Sequence, residues 1–282
     1  MRRLIAAFCI GILTAAAQAQ DAGALRARHA ALKEHLAKSP FGRSLHVESV
    51  AAGGTHRGEI YAVMEHPFNV VAPALARPAD WCDILTLQVN VKRCSAGGDT
   101  LTAHISRKPR DAVDNAHRVD FRFQLARKSA DYLGVALTAP SGPVGTRDYE
   151  IRLEAAPLED RRTFMHLSYR YTLGSMARLA MDAYLSGPGR DKYGFSVIDR
   201  RPDGRPVYVD GVRGVVERSA MRYYLAVEAH LDSLGAPPAQ RLEARLRDWY
   251  TATTRYPQLR EPVGAEEYVE MKRREASAAL AG

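Results

Sequence analysis

The sequence predicts an α+β fold built on one antiparallel sheet and a long helix near the C-terminus. Between residues 85 and 172, six segments alternate apolar and polar residues, which is typical of strands with one buried and one wet face. The connections between them are short and rich in turn residues, and short connections imply antiparallel pairing. A broad apolar stripe at helical spacing then covers residues 212–234.

Each of the six strands is expected to place every second residue on the same apolar face. The inward-facing residues are Leu87, Val89 and Val91; Leu101, Ala103 and Ile105; Val119, Phe121, Phe123 and Leu125; Leu133, Val135 and Leu137; Tyr149, Ile151 and Leu153; and Met165, Leu167, Tyr169 and Tyr171. Residues 45–51 and 59–65 form two earlier strands, joined at Gly53 and Gly54, which favour a hairpin. Two short helical pieces follow, and the second contains Trp81.

Helices are predicted at both ends of the chain. Residues 22–38 form an amphipathic helix with Leu25, Leu32 and Leu36 on one face, and Pro40 ends it. After Gly174 the apolar residues return to helical spacing. Residues 190–209 are irregular, with a short hairpin near 202–204. Helices at 238–254 and 265–280 complete the chain, and the last one is so charged that we expect it to attach loosely.

The first nineteen residues have the pattern of a secretory signal peptide. Arg2 and Arg3 precede an apolar run, and Ala17 and Ala19 provide a small-x-small cleavage site. We therefore expect a periplasmic or secreted protein without a membrane span in its mature chain. The predicted organisation is a signal peptide at 1–19, an N-terminal helix at 20–43, a main domain at 44–235 and a C-terminal helical extension at 236–282.

If the protein is exported, its cysteines are candidates for a disulfide. Without Cys9, the chain has Cys82 and Cys94, an even pair that is a disulfide candidate in an oxidising compartment. A straight strand over residues 83–93 would hold the sulfurs about 35 Å apart, far beyond bonding distance. The bridge therefore requires a helix or turn near residues 83–85 to end before the strand starts. The alternative is two separate small apolar side chains.

The formal net charge of +8 is spread over loops, which indicates a solvated basic surface. It also permits weak attraction to anionic lipid headgroups. Nucleic acid is not expected as a partner, because export removes it and no binding motif is present.

The order of elements, with residues 58–63 followed by His66, Pro67 and Phe68 and then the Trp81 region, resembles the START-like helix-grip superfamily. This superfamily includes lipid-transfer domains, polyketide cyclases and aromatases, and plant hormone receptors. The resemblance covers residues 56–234. It implies a curved sheet of about seven strands around a long C-terminal helix, with an apolar cavity between them. An insertion of roughly forty residues before that helix departs from the family pattern, and it either forms a lid or fills the cavity.

If that cavity exists, aromatic and aliphatic residues of the sheet and helix line it. The candidate ligand-binding residues are Trp81, Phe121, Phe123, Tyr149, Leu153, Leu167, Tyr169, Tyr171, Met221, Tyr223, Tyr224 and Val227. Each is more often plain core than a ligand contact. The tyrosines are the better candidates, because a buried phenol needs a hydrogen-bond partner that a ligand can supply. The first hypothesis is binding of a lipid or another hydrophobic small molecule, without a cofactor or chemistry.

Two alternatives remain open. A cyclase- or hydrolase-type enzyme would use a cavity tyrosine or His166 as its acid-base group, although His166 alternates with Met165 and Leu167 and is expected on the surface. No catalytic residue can be assigned, since no G-x-S-x-G elbow and no HExxH metal motif is present. The third hypothesis is an accessory protein of the envelope, with the C-terminal helices as its partner surface.

Overall fold

A computed structural model describes residues 21–281, and the predicted signal peptide lies outside the described residues. Eight strands form one antiparallel sheet in the order β1-β2-β8-β7-β6-β5-β4-β3, one strand more than the seven expected. The strands are β1 (Leu45–Ala52), β2 (Thr55–Met64), β3 (Val91–Gly97), β4 (Thr100–Ile105), β5 (His117–Lys128), β6 (Leu133–Ser141), β7 (Thr146–Pro157) and β8 (Thr163–Leu173).

Seven helices surround this sheet, and a small separate hairpin lies in the insertion. The helices are α1 (Ala22–Ala37), α2 (Phe68–Ala74), α3 (Pro78–Leu85), α4 (Ser175–Ser186), α5 (Gly211–Ser233), α6 (Arg241–Thr254) and α7 (Ala265–Ala281); the hairpin is β9 (Val197–Arg200) with β10 (Pro206–Tyr208). The predicted α+β, helix-grip architecture is confirmed. None of the helices described between residues 21 and 281 is long and apolar enough to cross a bilayer.

Helix α5 packs on the inner face of the sheet, where the predicted alternation places the apolar side chains. Its closest approach is at Gly58 of β2, where a Cβ atom would lie 2.5 Å from the carbonyl oxygen of Val216. Only glycine permits this distance, so the helix lies directly on the backbone of β2. Strand register places Gly58 opposite Tyr169 of β8, and this contact therefore fixes the helix beside the predicted tyrosines.

The outer face of the sheet is covered by α1, which the sequence predicts within one residue at each end. Asp21 caps the helix by accepting from the amide of Ala24 at 2.7 Å. A second apolar cluster is buried beneath the helix; it consists of Ala22, Leu25, Leu32, Leu36, Tyr61, Tyr132, Ala156 and Phe164. Both faces of the sheet therefore bury apolar side chains. The family resemblance predicts burial on the inner face only.

The predicted disulfide is present between Cys82 and Cys94, whose Cα atoms lie 5.2 Å apart. The chain satisfies the geometric condition because α3 ends at Leu85 and a turn separates it from β3. The strand prediction was wrong here: Leu87 and Val89 lie in that turn, and β3 begins only at Val91. Burial of Leu87 in the core produced the apolar alternation without a strand.

The C-terminal helices are integral to the fold, which corrects the expectation that the last helix attaches loosely. Trp249 of α6 and Tyr268 of α7 are fully buried. The Tyr268 hydroxyl donates to the Leu87 carbonyl oxygen at 2.7 Å, and the Lys272 ammonium donates to the Val91 carbonyl oxygen at 2.6 Å. Exposed charges such as Glu266, Glu270, Arg273 and Arg274 cover the outer side of α7, while the face that carries Tyr268 and Lys272 closes the core next to β3.

One buried carboxylate of α5 anchors the insertion through hydrogen bonds. Glu217 of α5 is fully buried and accepts hydrogen bonds from the Ser49 hydroxyl (2.6 Å) and from the amides of Phe195 (2.6 Å) and Ser196 (2.9 Å). The Phe195 ring is buried in edge-on contact with Phe41 and Tyr256. The insertion is therefore an anchored part of the core rather than a free loop.

Candidate functional site

All twelve predicted lining residues belong to, or pack against, the apolar core between the inner face and α5. Several of them are ordinary core residues. Trp81 is fully buried, and its indole N–H donates to the Leu75 carbonyl oxygen at 2.9 Å. The Tyr224 hydroxyl is also satisfied, since it donates to Glu228 at 2.6 Å and accepts from Arg43 at 3.1 Å. Whether any of the twelve contacts a ligand stays a prediction.

Four of the predicted tyrosines come together and form what we call the tyrosine cluster: Tyr149, Tyr169, Tyr171 and Tyr223. Ring centroids are 5.6 Å apart between Tyr149 and Tyr171, 5.8 Å between Tyr169 and Tyr171, and 5.2 Å between Tyr169 and Tyr223. Tyr169 and Tyr171 are buried, whereas Tyr149 and Tyr223 are partly exposed. The cluster therefore extends from the core to the molecular surface.

The hydroxyl groups of the tyrosine cluster are not equally satisfied. The Tyr149 hydroxyl forms a 2.7 Å hydrogen bond with the hydroxyl of Thr146. The Tyr171 hydroxyl is buried and has no hydrogen-bond partner among the described residues. A buried polar atom without a partner costs about 1–3 kcal/mol, so this hydroxyl is the group in the cluster that an incoming polar atom would satisfy.

Burial raises the pKa of Tyr169, Tyr171 and Tyr223 well above the ordinary value of a phenol. The neighbouring tyrosine hydroxyls act in the same direction, because two phenolates close together repel each other. These phenols are therefore neutral at physiological pH. The tyrosine cluster suits recognition through ring contacts and hydrogen bonds, and it is poorly suited to abstracting a proton.

His166 lies on the outer face, as its position in the alternation predicts, but it is only partly exposed. Helix α1 covers this face, and the side chain is 15% exposed. Its Nδ1 lies 3.0 Å from Glu154 Oε2, and its Nε2 lies 3.8 Å from Glu59 Oε1. The imidazole also stacks on Tyr61 with centroids 4.4 Å apart. The expected surface histidine is therefore largely covered, because α1 folds over β2, β7 and β8.

The charges around His166 stabilise one another. Burial opposes ionisation of the imidazole, but its hydrogen bond to Glu154 and the charge of Glu59 outweigh it and raise the His166 pKa. Burial likewise opposes ionisation of Glu59, but His166, Arg57 and the Tyr61 hydroxyl lower its pKa to about 2. The two carboxylates thus favour the protonated form of the imidazole, which makes loss of its proton less favourable than in a free histidine.

Two open grooves lie elsewhere on the described surface. The outer groove has a volume of about 860 Å³ and lies between α1 and the outer face, with Glu59, Glu150, Glu154 and His166 among its lining residues. The second groove has a volume of about 880 Å³. Neither is lined by any of the twelve predicted residues.

The second groove is lined by side chains that lie far apart in the sequence. Its lining comes from three distant segments, residues 38–43, 195–208 and 255–258. Four aromatic rings and four cationic groups contribute, and no carboxylate does: Phe41, Phe195, Tyr208 and Tyr256 with Lys38, Arg43, Arg200 and Arg255. Arg43 is paired with Glu228 behind the groove. We call this the basic aromatic groove. Only the tertiary structure brings its three segments together.

Between residues 21 and 281, no group of three or more histidine, cysteine or acidic side chains is arranged to hold a metal ion.

Comparison with solved structures finds matches of low identity and low TM-score. Ara h 8.0201 is 13% identical with a TM-score of 0.37 and aligns with 64% of this chain and 99% of its own. Norcoclaurine synthase from Thalictrum flavum is 13% identical with a TM-score of 0.34, over 50% of this chain and 80% of its own. A conserved protein from Geobacillus kaustophilus is 14% identical with a TM-score of 0.34, over 48% and 85%.

At these identities and scores, the similarities indicate nothing about the ligand or activity of this chain. No protein-family model matches the sequence, and no curated protein matches it.

Proposed function

We propose that this protein binds a hydrophobic small molecule at the tyrosine cluster, between the inner face of the sheet and α5. The observation that carries the proposal is the buried, unpartnered Tyr171 hydroxyl within a ring cluster that reaches the surface. A ligand lying against the rings would bury apolar area, and one polar atom on it would accept the Tyr171 hydrogen bond. No catalytic step is required.

Ligand entry must separate rings that now contact each other. Tyr149 and Tyr223 are the partly exposed members, so they mark the entrance, and Tyr169 and Tyr171 form the floor. A bound molecule would change the surroundings of all four phenols. We therefore expect a change in tyrosine fluorescence on binding, together with a rise in melting temperature.

The direct test uses a neutral apolar dye, N-phenyl-1-naphthylamine, together with mass spectrometry of an organic extract of the purified protein. We expect a co-purified apolar molecule and saturable dye binding. Tyr149→Ala and Tyr223→Ala should each weaken dye binding by about tenfold, because each removes a ring from the entrance. Tyr250→Ala is the matched control, since that partly buried tyrosine lies outside the cluster and its hydroxyl bonds the Val263 carbonyl oxygen. An empty protein that does not bind the dye would refute the proposal.

The basic aromatic groove is a second candidate site for the same kind of ligand. Its four aromatic and four cationic side chains, with no lining carboxylate, suit an aromatic or lipid-like molecule that carries an anionic group. Binding of the anionic dye 8-anilinonaphthalene-1-sulfonate should weaken with salt and after Arg255→Ala or Tyr208→Ala. If Tyr223→Ala weakens it instead, the dye occupies the tyrosine cluster.

We also propose that the mature protein works in the periplasm or outside the cell. Support comes from the N-terminal sequence pattern and from the disulfide between Cys82 and Cys94, since such bonds persist in oxidising compartments. Cell fractionation of a C-terminally tagged chain, with mass determination of the mature N-terminus, tests this. A cytoplasmic, uncleaved chain would contradict it. The enzyme and accessory-protein alternatives stay predictions.

A further inference from the structure

Cationic and polar side chains gather beside the tyrosine cluster, where β2, β8, α4 and α5 meet. His56 of β2 is the direct cross-strand neighbour of Tyr171 on β8, and their ring centroids are 6.2 Å apart. Arg178 of α4 lies against the preceding hairpin turn, with its Nη2 only 3.4 Å from where a Cβ of Gly54 would be. Arg218 of α5 is near enough to Tyr171 for its charge to favour ionisation of that phenol, against the effect of burial.

Arg218 is a buried cation without a carboxylate partner. It is 4% exposed, and its Nη1 donates to a neutral acceptor, the Tyr193 carbonyl oxygen, at 2.9 Å. Among the described residues, no carboxylate lies within 4 Å of the guanidinium of Arg178 or Arg218. The neighbouring Glu217 is fully engaged by three other donors. Buried charges in proteins are normally paired, because an unpaired one costs several kcal/mol.

A neighbouring arginine shows what ordinary pairing looks like in this helix. Arg222 lies one turn after Arg218, and its Nε donates to Glu261 at 2.8 Å. The Glu261 side chain is buried and Arg222 is 23% exposed, so the fold supplies a carboxylate to an arginine of α5 that is less buried than Arg218. Without such a partner, the charge of Arg218 is not matched by a carboxylate among the described residues.

Two further polar atoms at the same place lack partners. The Tyr171 hydroxyl and Nδ1 of His56 are both buried and form no hydrogen bond with the described residues. Burial and the charge of Arg178 lower the pKa of His56, which is consistent with an excess of positive charge here. An anionic oxygen between these groups would accept from Tyr171 and Arg218 and would supply the missing negative charge.

We propose that His56, Tyr171, Arg178 and Arg218 bind the anionic group, a carboxylate or a phosphate, of the ligand whose apolar part lies against the tyrosine cluster. This inference rests on the proposed function and specifies its ligand class as an anionic amphiphile. The buried Arg218 and Tyr171 contact the anion, and Arg178 on the exposed helix α4 closes the site from outside.

The test compares three probes on the purified protein: dodecanoate, dodecan-1-ol and inorganic phosphate. Arg218→Met removes the charge and keeps the apolar stem, and Tyr171→Phe removes one hydroxyl without changing the packing. Arg213→Met is the control, because Arg213 lies on the same helix and bonds the Ser49 hydroxyl instead. By calorimetry, we expect dodecanoate to bind about tenfold or more tightly than dodecan-1-ol. Arg218→Met should remove that difference, and Arg213→Met should keep it.

The outcomes separate the two proposals. Equal affinity for the acid and the alcohol, or an unchanged preference in Arg218→Met, would overturn the anion site and leave the hydrophobic site intact. A stabilisation by phosphate that depends on Arg218, without binding of either dodecyl compound, would support the anion site and refute the hydrophobic ligand. If none of the three probes binds, both proposals fail. Melting temperatures of all variants show whether they are folded.

Discussion

His166 and Tyr171 lie on the same strand and face opposite sides of the sheet, and their surroundings differ in one respect. Around His166 the carboxylates of Glu154 and Glu59 supply negative charge, although Nε2 of the imidazole has no hydrogen-bond partner among the described residues. Around Tyr171 a hydroxyl, an imidazole nitrogen and a guanidinium share no negative partner among the described residues. A matched cluster stabilises a fold, whereas an unmatched one implies a missing component. This contrast is why we place ligand recognition on the inner face.

The matched cluster should make stability depend on pH. The raised pKa of His166 means that its contribution is complete below the unfolded value of about 6.5 and is lost as the pH rises through the folded value. Glu59, with its pKa lowered to about 2, contributes above about pH 4.5 and loses that contribution as the pH falls. Urea unfolding should therefore show His166→Gln to be less stable by about 2 kcal/mol near pH 5.5. The difference should shrink toward pH 9.

The exposed His117 gives the control, because His117→Gln removes a histidine that lies outside this cluster. It should leave the pH profile unchanged. A His166→Gln difference that stays constant from pH 5 to pH 9 would show that the His166 pKa is the same in the folded and the unfolded chain.

At the residue scale, the sequence predicts side-chain direction better than side-chain surroundings. Alternation correctly placed Tyr149, Tyr169 and Tyr171 on the inner face. It also placed His166 on the outer face, but a period of two carries no information about which distant segment covers that face. Arg218 was not predicted, because its burial depends on the insertion at Tyr193 and on neighbouring elements.

At the element scale, the contact at Gly58 sets the distance between α5 and the backbone of β2. Gly58→Ala would place a methyl group 2.5 Å from the Val216 carbonyl oxygen, and a helix backbone cannot move away as a flexible side chain can. We expect a loss of about 2–3 kcal/mol in the free energy of unfolding. Gly97→Ala on β3 is the control, since nothing lies within 4 Å of that position. Equal effects of the two substitutions in urea unfolding would contradict this close approach.

The disulfide fastens α3 to the edge strand β3 across twelve residues of sequence. Closing a loop of this length should stabilise the fold by roughly 2–4 kcal/mol, mainly by restricting the unfolded chain. Reduction with dithiothreitol should lower the free energy of unfolding by that amount, and a Cys82→Ala, Cys94→Ala variant should show the same loss without reductant. Thiol labelling of the denatured, unreduced mature chain should detect no free thiol. A labelled thiol would mean that the bond is incomplete.

The boundaries of elements with a clear apolar periodicity were predicted closely. The boundaries and packing of elements that depend on tertiary contacts were not. Helix α5 begins and ends within one residue of the predicted stripe, because its apolar face is long and continuous. The start of β3 was misplaced by four residues, since the buried Leu87 imitates a strand within a turn. The loose attachment expected for α7 was wrong for a related reason: Tyr268 and Lys272 are buried on one face of a helix whose overall composition is charged.

At the scale of the whole molecule, the segments outside the helix-grip elements are part of one packed body. Glu217 anchors the insertion to α5 and β1, and the Phe195 ring links it to Phe41 and Tyr256 at the two ends of the chain. The sequence gives the order of these segments but not their meeting point. The basic aromatic groove lies where they meet, which is why sequence patterns alone could not identify it.

Because the C-terminal helices pack into the core, we expect removal of residues 236–282 to unfold the protein. Trp249 packs under α5 with its indole N–H on the Arg222 carbonyl oxygen at 3.2 Å, and Tyr268 closes the core at Leu87. Loss of one buried tryptophan typically costs about 3–5 kcal/mol, while a whole domain is stable by only about 5–15 kcal/mol. The truncated chain should therefore lose its cooperative thermal transition in circular dichroism. Tyr268→Phe, which removes one hydrogen bond, should stay folded with a loss of about 1 kcal/mol. A truncated chain that melts cooperatively would instead make these helices a separable extension, available as a partner surface.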